Sequence, residues 1–306
     1  MTGASGLIGS YLLRLINKID FDYLYLVEHI SNFIQEFGEN VNLDLANPTE
    51  VRRGLDQLRP TTIVNLAALT DVDLCEANPV LAGLLNYRLP LELAEYSRRT
   101  NNGVYILHVS TDYVFDGNSG NYTEDSVRNP TNEYGKTKLL GEEAIQSISR
   151  EQHWCVARIS TPFGLHPKKL TFPIFVINKL LNRERFGALE DQFTSPSYAG
   201  NICDMLIELI SNRAYGNYHI AGTSRLSRYE QALHIANMLG LDPSYIERSS
   251  SEQMNWIAKR PPDSSLCVNK ARANLENKPL SFNAAMQKFI EEIKTDRYYS
   301  FRLGTI

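Results

Sequence analysis

The sequence predicts an α/β fold built on a doubly wound parallel sheet, with a smaller lobe after it. Three observations carry that expectation. Glycines at positions 3, 6 and 9 open the chain in Thr2-Gly3-Ala4-Ser5-Gly6-Leu7-Ile8-Gly9, directly before an apolar helical pattern. Short β-branched or aromatic runs then alternate with helical patterns up to about residue 165, the rhythm of βαβ units closing on a parallel sheet. Right-handed crossovers place every strand's C-terminal end on one edge, where open α/β sheets bind ligands, and the chemically suggestive residues all follow directly after the apolar runs. The expected architecture is therefore Rossmann-like.

Each element follows in chain order. A first strand should precede the glycine turn, yet only Met1 stands before Thr2, so that strand is expected to be missing or truncated to a stub. Leu12, Leu13, Leu15 and Ile16 carry a helix over about 10–17, and the run 23–27 reads as a strand. Asn47-Pro48 marks the start of a helix over 49–58, with Pro at its first position. Strands are expected at 62–65, 105–110 and 155–159, and helices at 79–99 and 134–148. Residues 1–165 thus form the expected nucleotide-binding domain. After Pro162-Phe163-Gly164 the texture becomes Pro-interrupted helices and short loops, up to a strand-like run at 218–221. Residues 166–306 read as a substrate-binding lobe, with roughly 193–222 returning to the main sheet.

Composition narrows the function. With 43% hydrophobic and 22% charged residues in 306, the chain is an ordinary globular protein. A net charge of −4 and only short basic pairs such as Arg98-Arg99 argue against a nucleic-acid polymer as partner. No apolar run approaches the ~20 residues that span a bilayer, and no charged-then-apolar leader opens the chain. A cytoplasmic location without membrane association is expected. Cys75, Cys155, Cys203 and Cys267 show no Cys-x-x-Cys or Cys/His spacing, so no metal site is expected.

The glycine turn lets backbone approach a pyrophosphate, while the helix that follows offers its free N–H groups to the charge. Gly3, Ser5, Gly6, Leu7, Ile8 and Gly9 are therefore candidate cofactor contacts. Nineteen residues past Gly9, the run Tyr23-Leu24-Tyr25-Leu26-Val27 ends in Glu28, where a carboxylate accepts hydrogen bonds from an adenosine ribose. It repels a 2′-phosphate, so the cofactor is NAD(H) or NADP(H), with NAD(H) slightly preferred. Asp44 and Leu45 are placed to meet the adenine, and Ala67-Ala68 lets the chain pass close to the cofactor. Further on, Ser110-Thr111-Asp112-Tyr113-Val114-Phe115-Asp116-Gly117 follows an apolar strand, and Tyr134-Gly135-Lys136-Thr137-Lys138 opens a helix. Tyr134 and Lys138, at i and i+4, share a helix face. An ammonium beside a phenol stabilises the phenolate and brings its pKa from ~10 toward the working range. A hydroxyl such as that of Thr111 would position a carbonyl and stabilise an alkoxide.

In this order the motifs resemble the extended short-chain dehydrogenase/reductases, and most of all the dTDP-4-dehydrorhamnose reductases. Ala67-Ala68 with Thr70 and Asp73, Gly141-Glu142, Asp191-Gln192 with Ser195-Pro196, and Arg260-Pro261 with Ser265 and Leu266 extend the resemblance over nearly the whole chain. It implies Thr111, Tyr134 and Lys138 as the catalytic trio: Tyr134 protonates the keto oxygen at sugar carbon 4, and Lys138 lowers the phenol pKa and holds the nicotinamide ribose. It implies Asn86 as a further cofactor-side contact, and Thr70, Asp112, Tyr113 and Arg260 as substrate contacts. The implied reaction is NAD(P)H-dependent conversion of dTDP-4-dehydro-L-rhamnose to dTDP-L-rhamnose, and homodimers are common for the fold. The chain departs from the family pattern in its shortened opening and in Ile159-Ser160-Thr161-Pro162-Phe163-Gly164, which lacks the Trp of the family's Ser-Trp pair. Two alternatives follow from the same resemblance: a nucleotide-sugar epimerase or dehydratase, and a non-catalytic cofactor-binding subunit like the β subunit of methionine adenosyltransferase.

Overall fold

A computed structural model describes residues 1–19, 21–28, 38–100 and 103–296. The glycine turn closes through a bond from Gly6 N–H to Gly3 O, and α1 (Leu7–Leu15) leaves it with Leu7, Ile8, Leu12 and Leu13 buried. β1 (Tyr25–Glu28) pairs in parallel with β2 (Glu39–Asn42). β1 starts two residues later than its apolar run because Tyr23 stands in solvent. β2 was not legible as a strand: Glu39, Asn40 and Asn42 are exposed, as the outer position of the sheet allows.

α2 (Pro48–Leu58) is capped by Asn47, whose Oδ1 accepts from the N–H groups of Thr49 and Glu50. β3 (Thr62–Asn65) follows, then α3 (Val72–Ala77). The single helix expected over 79–99 is instead α4 (Pro79–Gly83), a π-helical turn at Leu84–Arg88, and α5 (Leu89–Arg99). Pro90 explains the turn: it has no N–H to give to Asn86 O, so the helix widens there. β4 (Tyr105–Thr111), α6 (Glu133–Ile148) and β5 (Trp154–Ile159) complete the first half.

After β5 come β6 (Pro162–Phe163), α7 (Phe172–Leu181), β7 (Phe186–Leu189), β8 (Phe193–Thr194), β9 (Ser197–Tyr198), α8 (Ala199–Ser211) and β10 (Gly216–His219). β11 (Leu226–Ser227), α9 (Arg228–Leu239), β12 (Ile246–Ser249), α10 (Asn269–Asn274) and α11 (Phe282–Thr295) end the described chain. Residues 297–306 of the expected lobe lie outside it.

The main sheet runs β10-β5-β4-β3, all parallel. Between β3 and β1 stands Thr2, which bridges both Val27 and Asn65 in parallel. Its N–H donates to Val64 O, its carbonyl accepts from Leu66 N–H, and Met1 O accepts from Val27 N–H. Two residues therefore join β1 and β2 to the other four strands. Successive residues of a strand face opposite sides, and β4 and β5 show it. Leu107 and Ala157 pack with Leu12 and Leu206 against α1 and α8, whereas Ile106 and Val156 pack with Leu93 and Ile145 against α5 and α6.

A separate core gathers Ile174 and Ile177 of α7, Ile235 of α9 and Phe289 of α11 beside the parallel pair β7 and β12. Glu292 of α11 ties it to the first half, accepting from Arg14 at 2.7 Å and Tyr198 at 3.0 Å, with Tyr11 on the same carboxylate. α8 and β10, from within 193–222, pack with the main sheet. No helix among the described residues is long and apolar enough to cross a membrane.

Candidate active site

At the C-terminal edge of the sheet lies a cavity of about 660 Å³. Its one end is the glycine turn. Gly3 has φ +69°, and a Cβ there would stand 2.7 Å from Ala67 N; a Cβ on Gly9 would stand 2.3 Å from Gly3 O. Only glycine lets the turn lie this close to the chain leaving β3. The N-cap of α1 is Gly6, which has no side chain to cover the first-turn N–H groups, so those donors and the positive end of α1 are left for an anion. Ser5, Gly6, Leu7, Ile8, Glu28 and Leu45 line this end, and Ala67 and Ala68 continue the wall. These residues fit the diphosphate and adenosine of a dinucleotide. Glu28 is buried and braces the turn: Oε1 accepts from Ser5 N–H at 2.7 Å and Oε2 from Ser5 Oγ at 2.8 Å. His166 Nε2 holds Ser5 O at 2.9 Å from the other side.

Thr111, Tyr134 and Lys138 line the same cavity. β4 ends at Thr111, whose Oγ1 donates to Asp112 Oδ1 at 3.1 Å and accepts from Tyr113 N–H at 3.2 Å. Asn132 caps α6 by accepting from Gly135 N–H at 2.9 Å. A Cβ on Gly135 would stand 2.2 Å from Tyr113 O, so glycine after Tyr134 lets the helix start against the turn that follows β4. The Tyr134 phenol thereby meets the Thr111 hydroxyl, with the Tyr113 ring edge-on at 5.9 Å. One turn on, Lys138 Nζ donates to Val109 O at 2.7 Å.

Burial pushes the Tyr134 phenol above its ordinary value, and the Thr111 hydroxyl pulls the other way. Burial likewise brings the Lys138 ammonium down to about 8, opposed by Glu142. The expected pull of Lys138 on the phenol is not what sets Tyr134 here, since the amine is directed to the β4 carbonyl. A phenol that keeps its proton at neutral pH is a proton donor in waiting.

The remaining candidates divide. Thr70, Asp112 and Tyr113 stand on the cavity wall. Asp112 is buried, with Oδ2 accepting from Ser160 Oγ at 2.7 Å and Ser264 Oγ at 2.6 Å; burial raises its carboxyl against these hydroxyls. Asp44, Asn86 and Arg260 stand off that wall. Asp44 Oδ1 accepts from Ala46 N–H. Asn86 clamps the segment after β3 to α6, accepting from Leu69 N–H at 2.8 Å and donating to Leu69 O and Thr137 Oγ1. Arg260 pairs with Asp73 at 3.1 Å and lies over the Trp256 ring.

Sequence reading missed Arg228, at the start of α9, whose guanidinium lies over the Phe172 ring within electrostatic reach of Tyr113 and Asp112. It missed Thr161 and Lys169, which stand on the cavity wall. Arg228 sits in an ordinary capping box, Ser227 with Glu230, so nothing local marks it.

The family model of the RmlD substrate binding domain matches residues 1–295. A dTDP-4-dehydrorhamnose reductase from Aggregatibacter actinomycetemcomitans is 31% identical over 300 residues, 94% of this chain and 96% of its own. A hypothetical dTDP-4-dehydrorhamnose reductase from Sulfolobus tokodaii has a TM-score of 0.78 at 33% identity, covering 90% of this chain and 93% of that one. The dTDP-4-dehydrorhamnose reductase from Bacillus anthracis, solved in complex with NADP, has a TM-score of 0.81 at 27% identity over 95% of this chain and 97% of its own. The chain belongs to the RmlD substrate-binding domain family and is a nicotinamide-dependent oxidoreductase resembling the dTDP-4-dehydrorhamnose reductases.

Proposed function

We propose that the chain reduces the 4-keto group of a nucleotide sugar, with dTDP-4-dehydro-L-rhamnose as substrate and NADH as the preferred cofactor. One observation carries the reading: the glycine cradle and the side chains of Thr111, Tyr134 and Lys138 line a single cavity. When bound, the nicotinamide supplies the hydride that the carbonyl carbon receives. The protein's part is the matching proton. Tyr134 holds it on a phenol whose surroundings favour the protonated form and gives it to the keto oxygen as the carbon–oxygen double bond becomes a single bond. Thr111 steadies the phenolate left behind, and Lys138 stands one turn away with a proton of its own. Glu28 favours NADH, because a carboxylate bonded to Ser5 at the ribose end of the cradle repels a 2′-phosphate.

The test is a stoichiometric one. With dTDP-4-dehydro-L-rhamnose, one NADH is consumed for each dTDP-L-rhamnose formed. Conversion without net NADH loss identifies an epimerase or dehydratase, and NADH bound but never oxidised with any keto sugar identifies a cofactor-binding subunit; either overturns the reading.

A further inference from the structure

Behind Lys138 runs a buried polar chain that the reaction as described does not use. Thr2 Oγ1 accepts from Ala67 N–H at 3.2 Å and donates to Asn65 Oδ1 at 2.6 Å. Asn65 Nδ2 meets His108 Nδ1 at 2.9 Å, and His108 Nε2 lies 3.4 Å from Lys138 Nζ. Thr2, Asn65, His108 and Lys138 are 6%, 0%, 1% and 2% exposed, so the three contacts that join them are shielded from water.

Directions follow link by link. The Asn65 side-chain oxygen, which can only accept, faces Thr2, so the Thr2 hydroxyl gives it its proton while taking the backbone N–H of Ala67. The Asn65 amide nitrogen is thereby turned to the ring and donates to Nδ1. A neutral imidazole has one proton, which then sits on Nε2 and points at the Lys138 amine. Burial, and after it the charge of Lys138, keeps the ring neutral, well below the ordinary histidine range. The groups at the amine are the His108 ring and Val109 carbonyl from β4 and, from its own helix, the charge of Glu142, with Tyr134 one turn before it. Glu142 favours the ammonium; the Nε2–H favours the free amine.

We propose that His108 is a positioning residue for Lys138: its ring, fixed as the Nε2–H tautomer by Asn65 and Thr2, turns a donor toward the amine and makes it release its proton more readily. The consequence, which rests on the reductase reading, is that Lys138 can replace the proton Tyr134 has given to the sugar. The segment between β1 and β3 then also serves the reaction, through Thr2.

NMR on the whole protein, labelled with ¹⁵N-histidine and ¹³C-lysine, tests the proposal without turnover. In the wild type, His108 should show Nε2 protonated and Nδ1 bare from about pH 5 to about pH 8, the range over which a free imidazole changes charge. Lys138, assigned by its loss in Lys138→Met, should titrate near 8. In His108→Leu that midpoint should rise by ~0.5 unit or more, and in His108→Gln, which keeps an N–H donor, it should stay near the wild type. Thr2→Val, which leaves every Lys138 contact in place, should let the Asn65 amide turn and give a mixture of tautomers. A protonated Nδ1 in the wild type, an unmoved or lowered midpoint in His108→Leu, or a single tautomer in Thr2→Val overturns the proposal. Absent NADH oxidation would remove only the reductase reading, because these titrations need no substrate.

Discussion

Two side chains at opposite ends of the cavity carry opposite electrostatic tasks. At one end, the Tyr134 phenol keeps its proton until a carbonyl oxygen takes it. At the other, Glu28 lies buried beside the glycine turn and accepts twice from Ser5. Replacing Glu28 with Gln removes the negative charge and retains the shape. The ratio of kcat/KM for NADPH over NADH should then rise ~10-fold, about 1.4 kcal/mol, measured by initial rates with each cofactor. An unchanged ratio would show that Glu28 does not read the ribose. Tyr134, Lys138 and Glu28 were legible in the sequence because their chemistry depends on local spacing: one helical turn in the first case, a strand end after a glycine loop in the second. His108 and Arg228 were not. Their placement depends on which strand lies beside β4 and where α9 docks, and no local pattern records either.

At the scale of elements, α6 is held to its place by close backbone approach. The carbonyl of Asn86, to which Pro90 has no N–H to donate, packs on Gly141, where a Cβ would stand 2.3 Å from it. Gly141→Ala should therefore push α6 from the turn, costing ~1–3 kcal/mol in urea unfolding as overpacking does. Because Tyr134 and Lys138 ride on the same helix, kcat should fall as well. Wild-type stability in this variant would mean that the contact is slack. The boundaries of α2 and α6 were readable from Asn47-Pro48 and from the Tyr-x-x-x-Lys segment. The π-helical turn was hidden because Pro90 follows an unbroken apolar pattern, and β2 because an outer strand of Glu and Asn has no apolar periodicity to find.

At the scale of the whole molecule, the sheet's far side is closed by buried charge. Arg158 and Glu142 are 0% exposed and bonded at 2.8 and 2.9 Å, and His219 completes the group. Its Nε2 accepts from Arg158 at 3.2 Å and its Nδ1–H donates to Cys267 O at 3.1 Å. Burial, and then the charge of Arg158, lowers His219 from 6.5 to about 3. Below pH 6.5 the unfolded chain binds a proton that the folded one refuses, so stability falls with pH through this window and the loss from this group is complete below about 3. Burial alone would raise Glu142, but Arg158 outweighs it and holds the carboxyl below 4.5. Its contribution is present above that value and is lost as pH drops further. Melting temperature should thus decline from about pH 6.5 downward, and His219→Gln, which takes up no proton, should flatten the upper part of that decline; an equal slope in both proteins would exclude His219 as its source.

The layered sheet and its helices were legible from the β/α rhythm. The core of α7, α9 and α11 was not, because its parts are separated by the strands that return to the main sheet.

The central claim, that Tyr134 delivers the proton as hydride reaches the sugar, is tested most directly by single-turnover oxidation of bound NADH in Tyr134→Phe, with cofactor affinity measured alongside. The account predicts near-wild-type binding and a rate lower by ~10²-fold or more. A variant that oxidises NADH as fast as the wild type would contradict it.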